Sequence, residues 1–584
     1  MPQKIPVLSV GDIPRFDRHF FDGEHVISRI GGGAIGGKAS GLAFADTVIK
    51  EKLPEGSYRG ITVSIPRFVV IGTDVFDAFL ERNDLRKIAQ SDTSDSRIGM
   101  AFQRAEFPAE FSGDLRGLIS AVHAPLAVRS SSMLEDTMYE PFAGVYDTKM
   151  IPNNQPDTDT RYRKLIDAIK FVYASTFFHE AKGYLAMTKK GAAQEKMAVI
   201  IQEVVGLSYK DRFYPNVSGV GRSYNFYPVG HAQPEEGVVD LALGLGKMIV
   251  DGGRVWTYSP AYPQVSPPFT TREMLSNTQT DFWAVNMGKP PAFDPMRETE
   301  YLIEVNIKDA ESDDSIRLAA STYQPQNDRI VIGTGADGPR ILNFAPLLRL
   351  SEVPFNDLVS MLLKSCQQVL DTPVEIEFAV TTDRTSEGYS MRFGFLQVRP
   401  MVVSSATVEV TDDELEADRI LLASERTLGN GIVDDLTDII YVKPDLFGKE
   451  HTRTVAAEID ELSKRISDDS RGYVLIGFGR WGSSDPWLGI PVNWGSIGGA
   501  RVIVEATLPD MDVELSQGSH FFHNITSLQI PYLCVHHSGR FQIDWSWLES
   551  QPIVAETKFV RHVRLAAPLT VKIDGRNRKG VILR

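Results

Sequence analysis

The stretch Val374–Met401, VEIEFAVTTDRTSEGYSMRFGFLQVRPM, decides the reading of this chain. Two of its runs alternate, Glu375-Ile376-Glu377-Phe378 and Leu396-Gln397-Val398-Arg399. A strand sends successive side chains to opposite faces. Ile376, Phe378, Leu396 and Val398 are therefore expected on a core face, and Glu375, Glu377, Gln397 and Arg399 on the other. The polar segment between the runs suits a hairpin turn. Two carboxylates, an amide oxygen and a guanidinium would then share one face. Magnesium takes hard oxygen ligands, commonly a carboxylate or two with phosphate oxygens, and Arg grips phosphate bidentately. Two readings stand: a cradle for a magnesium-bound polyphosphate, or a solvated sheet face with a cross-strand ion pair, the commoner arrangement.

Upstream, HVISRI (25–30) reads as a short strand, followed by GGGAIGGKASGLAFADTVIK (31–50). The spacing of Leu42, Ala45, Val48 and Ile49 predicts a helix after a glycine loop. Such a loop running into a helix N-terminus is an anion site, and Lys38 would add a point charge. Gly32, Gly37 and Lys38 nearly match a P-loop, but Ala39 stands where that motif needs Ser or Thr for magnesium. PRFVVIGTDVFDAFLER (66–82) predicts a strand, a turn and a helix capped near Thr73 or Asp74, with polar helix over 82–120. In APLAVRSSSMLEDTMYEPFAGVYDT (124–148), a short strand ends at Arg129 and three serines, which fits either a phosphate clamp or an ordinary helix cap. Phe142-Ala143-Gly144 opens a loop able to lie over a ligand. A long helix is expected over 160–187. MAVIIQEVVG (197–206) is a buried strand running into Gln202-Glu203-Val204-Val205, either a core strand or a hinge whose backbone reads adenine. NVSGVG (216–221) and LALGLGKMIVDGG (241–253) add glycine-rich turns, with Lys247 either a second phosphate contact or exposed.

Beyond Met401 the composition shifts, and VEVTDDELEADRILLASERTLGNG (408–431) reads as an acidic helical linker. RGYVLIGFGRWGSSDPWLGIPVNWGSIGGARVIVEA (471–506) is β-rich and holds Trp481, Trp487 and Trp494. Arg480, Trp481, Ser483 and Asp485 are candidates to line an acceptor pocket, against plain aromatic packing. His520, His523, His536 and His537 lack the paired cysteines or HExxH of a zinc site. His520, after Ser519 and before a helical run, is a candidate nucleophile toward phosphorus. LTVKIDGRNRKGVILR (569–584) closes the chain as a hairpin around Asp574-Gly575.

The chain has 584 residues, long for a single core. Its net charge of −15 argues against a broad nucleic-acid footprint. Cys366 and Cys534 form neither a disulfide framework nor a CxxC site. The start lacks a signal-type apolar core and no run approaches a membrane span, so a cytoplasmic protein without a membrane partner is expected.

Taken in order, these pieces resemble the phosphoenolpyruvate synthase / pyruvate phosphate dikinase family over roughly residues 25–401. GGKASGL is similar to the family's glycine loop with its ATP-phosphate lysine, here Lys38. AVRSSSMLED with FAGVYDT looks like its Arg-Ser-Ser block, which makes Arg129 the phosphate arginine. IIQEVVG resembles the adenine hinge, carrying ATP binding to Gln202, Glu203 and Val205. EIEF and LQVRP match the metal and phosphate end, carrying over Glu377 and Gln397 for magnesium and Arg399 for ATP. The resemblance reverses the preference for a solvated hairpin face. It implies an α+β chain: an ATP-grasp fold of two subdomains, then a smaller β-rich α/β C-terminal domain. The expected layout is an ATP-grasp N-terminal subdomain at 1–120, the nucleotide-binding remainder at 121–405, the acidic linker at 406–432 and a swivel-like phosphohistidine domain at 433–584.

The family also carries a swivelling domain with a phosphorylatable histidine, and a barrel for phosphoenolpyruvate or pyruvate. A barrel of about 250 residues finds no room here. Ser519-His520 and Ile530-Pro531 keep the swivel's spacing, while Gly518 stands where two glycines are usual, Thr526 stands near the place of an Arg, and Phe521 and Phe522 replace small residues. The implied activity is an ATP- and Mg²⁺-dependent phosphotransferase, with His520 and Arg129 catalytic and an unidentified phosphoryl acceptor. The alternatives are a non-catalytic ATP-binding sensor or subunit with a partner-binding C-terminal domain, and a P-loop NTPase. Assembly stays open between a homo-oligomer and a separate partner protein.

Overall fold

A computed structural model describes residues 13–20, 23, 25–53, 56–135, 143–187, 195–228, 230–265, 270–350, 353–386, 388–403, 408–467, 471–509, 511 and 519–584. Helix and sheet are mixed, as expected for α+β. The chain divides into two compact units, one of residues 1–178, 193–249 and 254–400, the other of 179–192, 250–253 and 401–584.

In the first unit, β1 (Ile27–Ile30) precedes α1 (Gly36–Lys52), β2 (Ile61–Ser64), β3 (Phe68–Ile71) and α2 (Thr73–Arg82). Then come β4 (Leu126–Ser132), β5 (Thr148–Ile151), α3 (Thr158–Ser175) and β6 (Met197–Glu203). Strands β7 (Val217–Arg222), β8 (Val238–Ala242) and β9 (Trp256–Tyr258), helix α4 (Phe355–Leu370) and the hairpin β10 (Val374–Thr385) and β11 (Gly388–Pro400) complete the parts that matter for the site. One sheet has the order β1-β3-β6-β4-β5; a second runs β9-β8-β7-β10-β11-β2.

α4 buries Phe355, Leu358, Val359, Leu362, Leu363, Cys366 and Leu370, an apolar stripe at helical spacing. Leu363 lies against Gly221 of β7, where a Cβ would meet it at 3.5 Å. On β10, Val374, Ile376, Phe378 and Val380 are buried in alternation, and Phe378 stacks on Phe393 of β11 at 4.8 Å. This apolar side is the expected core face.

The expected boundary at 120/121 would cut the five-stranded sheet, because β1 and β3 come from before it and β4, β5 and β6 from after it. The long helix expected over 160–187 is two helices, Thr158–Ser175 and His179–Met187. The helix after the glycine loop begins early, at Gly36, so Lys38 sits in its first turn.

The second unit is built on β12 (Ile420–Ser424), β13 (Thr427–Leu428), β14 (Asn430–Val442), α5 (Thr452–Ser467), β15 (Tyr473–Phe478), β16 (Ala500–Ala506), α6 (His520–Ser527), β17 (Tyr532–Val535), β18 (Ile553–Glu556), β19 (Val560–Asp574) and β20 (Lys579–Leu583). The sheet order is β12-β20-β19-β14-β15-β16-β17-β13, with β18 paired to β19. Strands β14, β15, β16 and β17 run parallel to one another. The 406–432 stretch is not a helical linker among its described residues: Asp412–Leu415 is its one short helix, and Ile420 onward is strand. The acidic residues there misled the reading, while Leu421, Leu422 and Ala423 are buried in the sheet.

Candidate functional site

The hairpin sets Glu375 opposite Arg399 and Glu377 opposite Gln397, so all four fall on one face. That face is not solvated: Glu375, Gln397 and Arg399 are each 1–2% exposed. A bulge lies next to it. Glu377 pairs with Gln397, but Phe378 pairs with Phe395, leaving Leu396 over. A bulge of this kind bends a strand and re-aims its groups. Phe395 therefore fills the core in place of the expected Leu396, which is half-buried.

The carbonyl of Leu396 accepts a hydrogen bond from Arg129 Nη1 at 2.9 Å. Arg129 leaves β4 and ties several segments together: Nη1 also donates to Gln202 Oε1 at 3.2 Å, and Nη2 donates to Gln397 Oε1 at 2.7 Å. Glu377 Oε2 lies 3.7 Å from Nη2. Arg399 pairs with Glu377 and with Glu375, the latter at 3.0 Å from Nε. Glu375 in turn pairs with Arg222, which faces it in register from β7. The result is an alternating line of charge, Arg222, Glu375, Arg399, Glu377, Arg129. The line begins and ends on a guanidinium. Arg222 escaped the sequence reading because its partner lies more than 150 positions away and the pairing depends on register; Glu375 was placed on the polar face but given no role.

Gln202 is locked rather than open: its Oε1 accepts from Arg129 and its Nε2 donates to Pro66 O at 3.0 Å. A base would therefore be read by the backbone beyond it. Glu203 ends β6, and Val204 N donates to Pro125 O. Among the described residues no backbone hydrogen bond engages Val205. Its side chain leans on Gly394 of β11, where a Cβ would lie 2.6 Å from Val205 Cγ2.

Lys38 stands outside this network. Its Nζ donates to Glu135 Oε1 at 2.6 Å and to Ser130 Oγ at 3.1 Å, one position along β4 from Arg129. Glu135 is fully buried and also accepts from Ser130 Oγ and Ser132 N. The first turn of α1 approaches β4 closely: at Gly36, with φ +75°, a Cβ would lie 1.8 Å from Ser131 O. Ser131 Oγ accepts from Ala39 N and donates to Ile35 O. Beside Ser132 and Glu135, burial pushes the Glu195 carboxyl up to about 7. Lys247 is not solvent-free; it pairs with Glu298 at 2.9 Å. Phe142 lies outside the described residues.

Glu377 and Gln397 offer a carboxylate and an amide oxygen directly across from each other. Those hard donors fit magnesium completed by phosphate oxygens. No cluster of three or more His, Cys, Asp or Glu able to hold a metal alone occurs among the described residues.

In the second unit, Ser519 caps α6, its Oγ accepting from Phe522 N at 3.2 Å, and half-buried His520 is the first helical residue. A small cavity of about 20 Å³ adjoins it, lined by Arg480, Ser483, Glu505, Ser519, Phe521 and Tyr532 among others. That is room for about one water. Of the candidates for an acceptor pocket, Arg480, Trp481 and Ser483 line this cavity, whereas Asp485 does not and instead accepts from Trp487 N at 2.9 Å. His520 itself does not line it. Glu505 bonds Tyr532, and burial pushes its carboxyl up to about 7. Gly518 lies outside the described residues.

A family model described as pyruvate phosphate dikinase, AMP/ATP-binding domain, matches residues 33–419. Among curated proteins, none matches the chain. No helix among the described residues is long and apolar enough to cross a membrane.

Proposed function

Because the chain belongs to the pyruvate phosphate dikinase family by its AMP/ATP-binding domain, we propose that it is an ATP- and Mg²⁺-dependent phosphotransferase of ATP-grasp architecture, which passes phosphoryl from ATP to His520 and on to a separate acceptor. The observation that carries this reading is Arg129, which joins the hinge residue Gln202, the bulge carbonyl of Leu396 and the metal-face residue Gln397 through one guanidinium.

Adenine stacks at the hinge, with the Val205 backbone as reader. Arg129 and Arg399 take the phosphate oxygens bidentately as they exchange part of their hold on Glu377. Lys38 joins from the N-terminus of α1, whose dipole favours anions. Glu377 and Gln397 would hold magnesium, which would offset phosphate charge there. Phosphoryl transfer needs mainly positioning and charge stabilisation, and the rigid arginine–carboxylate line supplies both.

A second reading is an ATP-binding sensor without turnover. It draws on Lys38, whose ammonium is engaged by Glu135 and Ser130, and on His520, which does not line the adjoining cavity. Intact-mass measurement after Mg-ATP, with the nucleotide products identified, separates the two. Gain of one phosphoryl group, lost in His520→Ala, together with AMP and orthophosphate released with water, supports the enzyme. Nucleotide binding with neither phosphoenzyme nor AMP refutes it and favours the sensor.

A further inference from the structure

Lys38 and Glu135 form a buried ion pair beside the glycine loop, their side chains 10% and 0% exposed, with Nζ 2.6 Å from Oε1. Taking two charges out of water is costly, so such a pair is weak evidence for stability alone. Lys38 has no other carboxylate within ion-pair distance among the described residues.

Three features mark the pair as one built to open. First, the carboxylate keeps its place without the lysine. Glu135 Oε1 also accepts from Ser130 Oγ at 3.1 Å, and Oε2 accepts from Ser132 N at 3.0 Å. Ser132 Oγ accepts from Leu134 N at 3.2 Å and from Glu135 N at 3.1 Å, so residues 132–135 close on themselves. Second, the backbone is fixed on both sides of the pair. Ser131 Oγ accepts from Ala39 N at 3.1 Å and donates to Ile35 O at 2.8 Å, while Gly36 lies too close to Ser131 O to carry a side chain. A change of partner therefore falls to the lysine side chain, a point charge on a flexible four-carbon stem. Third, the pair lies inside the domain matched as AMP/ATP-binding, with Lys38 in the first turn of α1 and Ser130 directly after Arg129 on β4.

We propose that Glu135 is a positioning residue that competes with nucleotide polyphosphate for Lys38. The ammonium rests on Glu135 when the site is empty or holds AMP, and moves to the phosphates when a triphosphate is bound. This role presupposes that the matched domain binds ATP as proposed above. The swap opens one ion pair as it forms another, and Ser130 Oγ and Ser132 N keep the vacated carboxylate hydrogen-bonded. No covalent bond changes. Lys38 thus adds less to ATP affinity than an unpaired lysine would. Once the outer phosphates have left, Glu135 takes the ammonium back, and AMP is held without it.

The test is calorimetric titration of the full chain with Mg²⁺ and an α,β-methylene analogue of ATP, and separately with AMP. Glu135→Gln should tighten binding of the analogue about fivefold or more, a size that coupled neighbours reach, and leave AMP within about twofold. AMP and the magnesium complex of ATP carry similar net charge at neutral pH, so the mere loss of a nearby negative charge would move both alike. In a Lys38→Met background, Glu135→Gln should tighten nothing, because the competition has lost its object. Where Glu135→Gln does not fold, Glu135→Asp stands in for it: the charge stays, is drawn back by one methylene, and loosens its hold on Lys38. Unchanged or weaker binding of the analogue, equal tightening of both nucleotides, or tightening that persists in Lys38→Met overturns the proposal while leaving the ATP site standing. A parent chain that binds neither nucleotide overturns both.

Discussion

Glu195 gives the sharpest test of the electrostatics beside Lys38. It lies next to Ser132 and Glu135, 8% exposed. Burial raises its carboxyl to about 7, the Glu135 charge adds to the rise, and hydrogen bonds from Ser132 and the Met133 and Leu134 amides pull against it. Set against an ordinary 4.5, the rise is worth about 3 kcal/mol. The folded chain holds this proton more tightly than the unfolded chain does. Its contribution is thus fully present below pH 4.5 and is lost as pH rises through about 7. Glu195→Gln keeps the shape and removes the charge. At about pH 4 the variant should match the parent; at about pH 8.5 it should be more stable by up to ~3 kcal/mol. Urea unfolding at both pH values measures this, on the transition that moves when ATP is added. A difference between variant and parent that is the same at both pH values would refute the reasoning.

Four further outcomes follow from the geometry. Arg129→Lys cannot span Gln202, Leu396 and Gln397 together, so ATP affinity should fall at least tenfold, about 1.4 kcal/mol, by calorimetry. Glu377→Gln removes the carboxylate shared by Arg129 and Arg399; the magnesium concentration needed for half-maximal turnover should rise by about tenfold, a loss of about 1.4 kcal/mol. Gly36→Ala forces a methyl against Ser131 O at a positive φ, and should destabilise the first unit by at least the ~1–3 kcal/mol of such backbone strain, read by urea unfolding. Glu505→Gln should repeat the Glu195 pattern in the second unit, gaining stability above pH 7 and none below pH 4.5, because burial holds its carboxyl near 7.

The hairpin was legible because alternation is a local signal: Glu375, Glu377, Gln397 and Arg399 share the face their spacing assigned. Its bulge was not read, although Phe393 and Phe395 keep odd parity and Leu396 and Val398 even parity in the same strand. A window of four residues does not reveal a change of phase. The strand at 197–203 and the helix bearing Lys38 were read from apolar runs and glycines. What those side chains touch was beyond reach: Gln202 braces Pro66 and Arg129, and Lys38 is held by Glu135. The acidic residues before Ile420 masked three strands whose burial depends on partners as distant as Leu583. Asp485 was assigned to a pocket by proximity in sequence, but a tight turn uses its carboxylate on Trp487 instead.

The one-residue offset at Leu396 acts as a gear change within the hairpin. Outward of it, the register of residues 379–394 is counted from the tip; inward of it, the charged face is counted from Val374 and Pro400. Length variation at the tip, in steps that keep the distal strands paired, therefore need not be transmitted to Glu377, Gln397 or Arg399. Loss of Leu396 would leave those three on their side of the sheet, yet would take away the carbonyl that seats Arg129. Tip and site can drift independently, while the single unpaired residue between them cannot be spared.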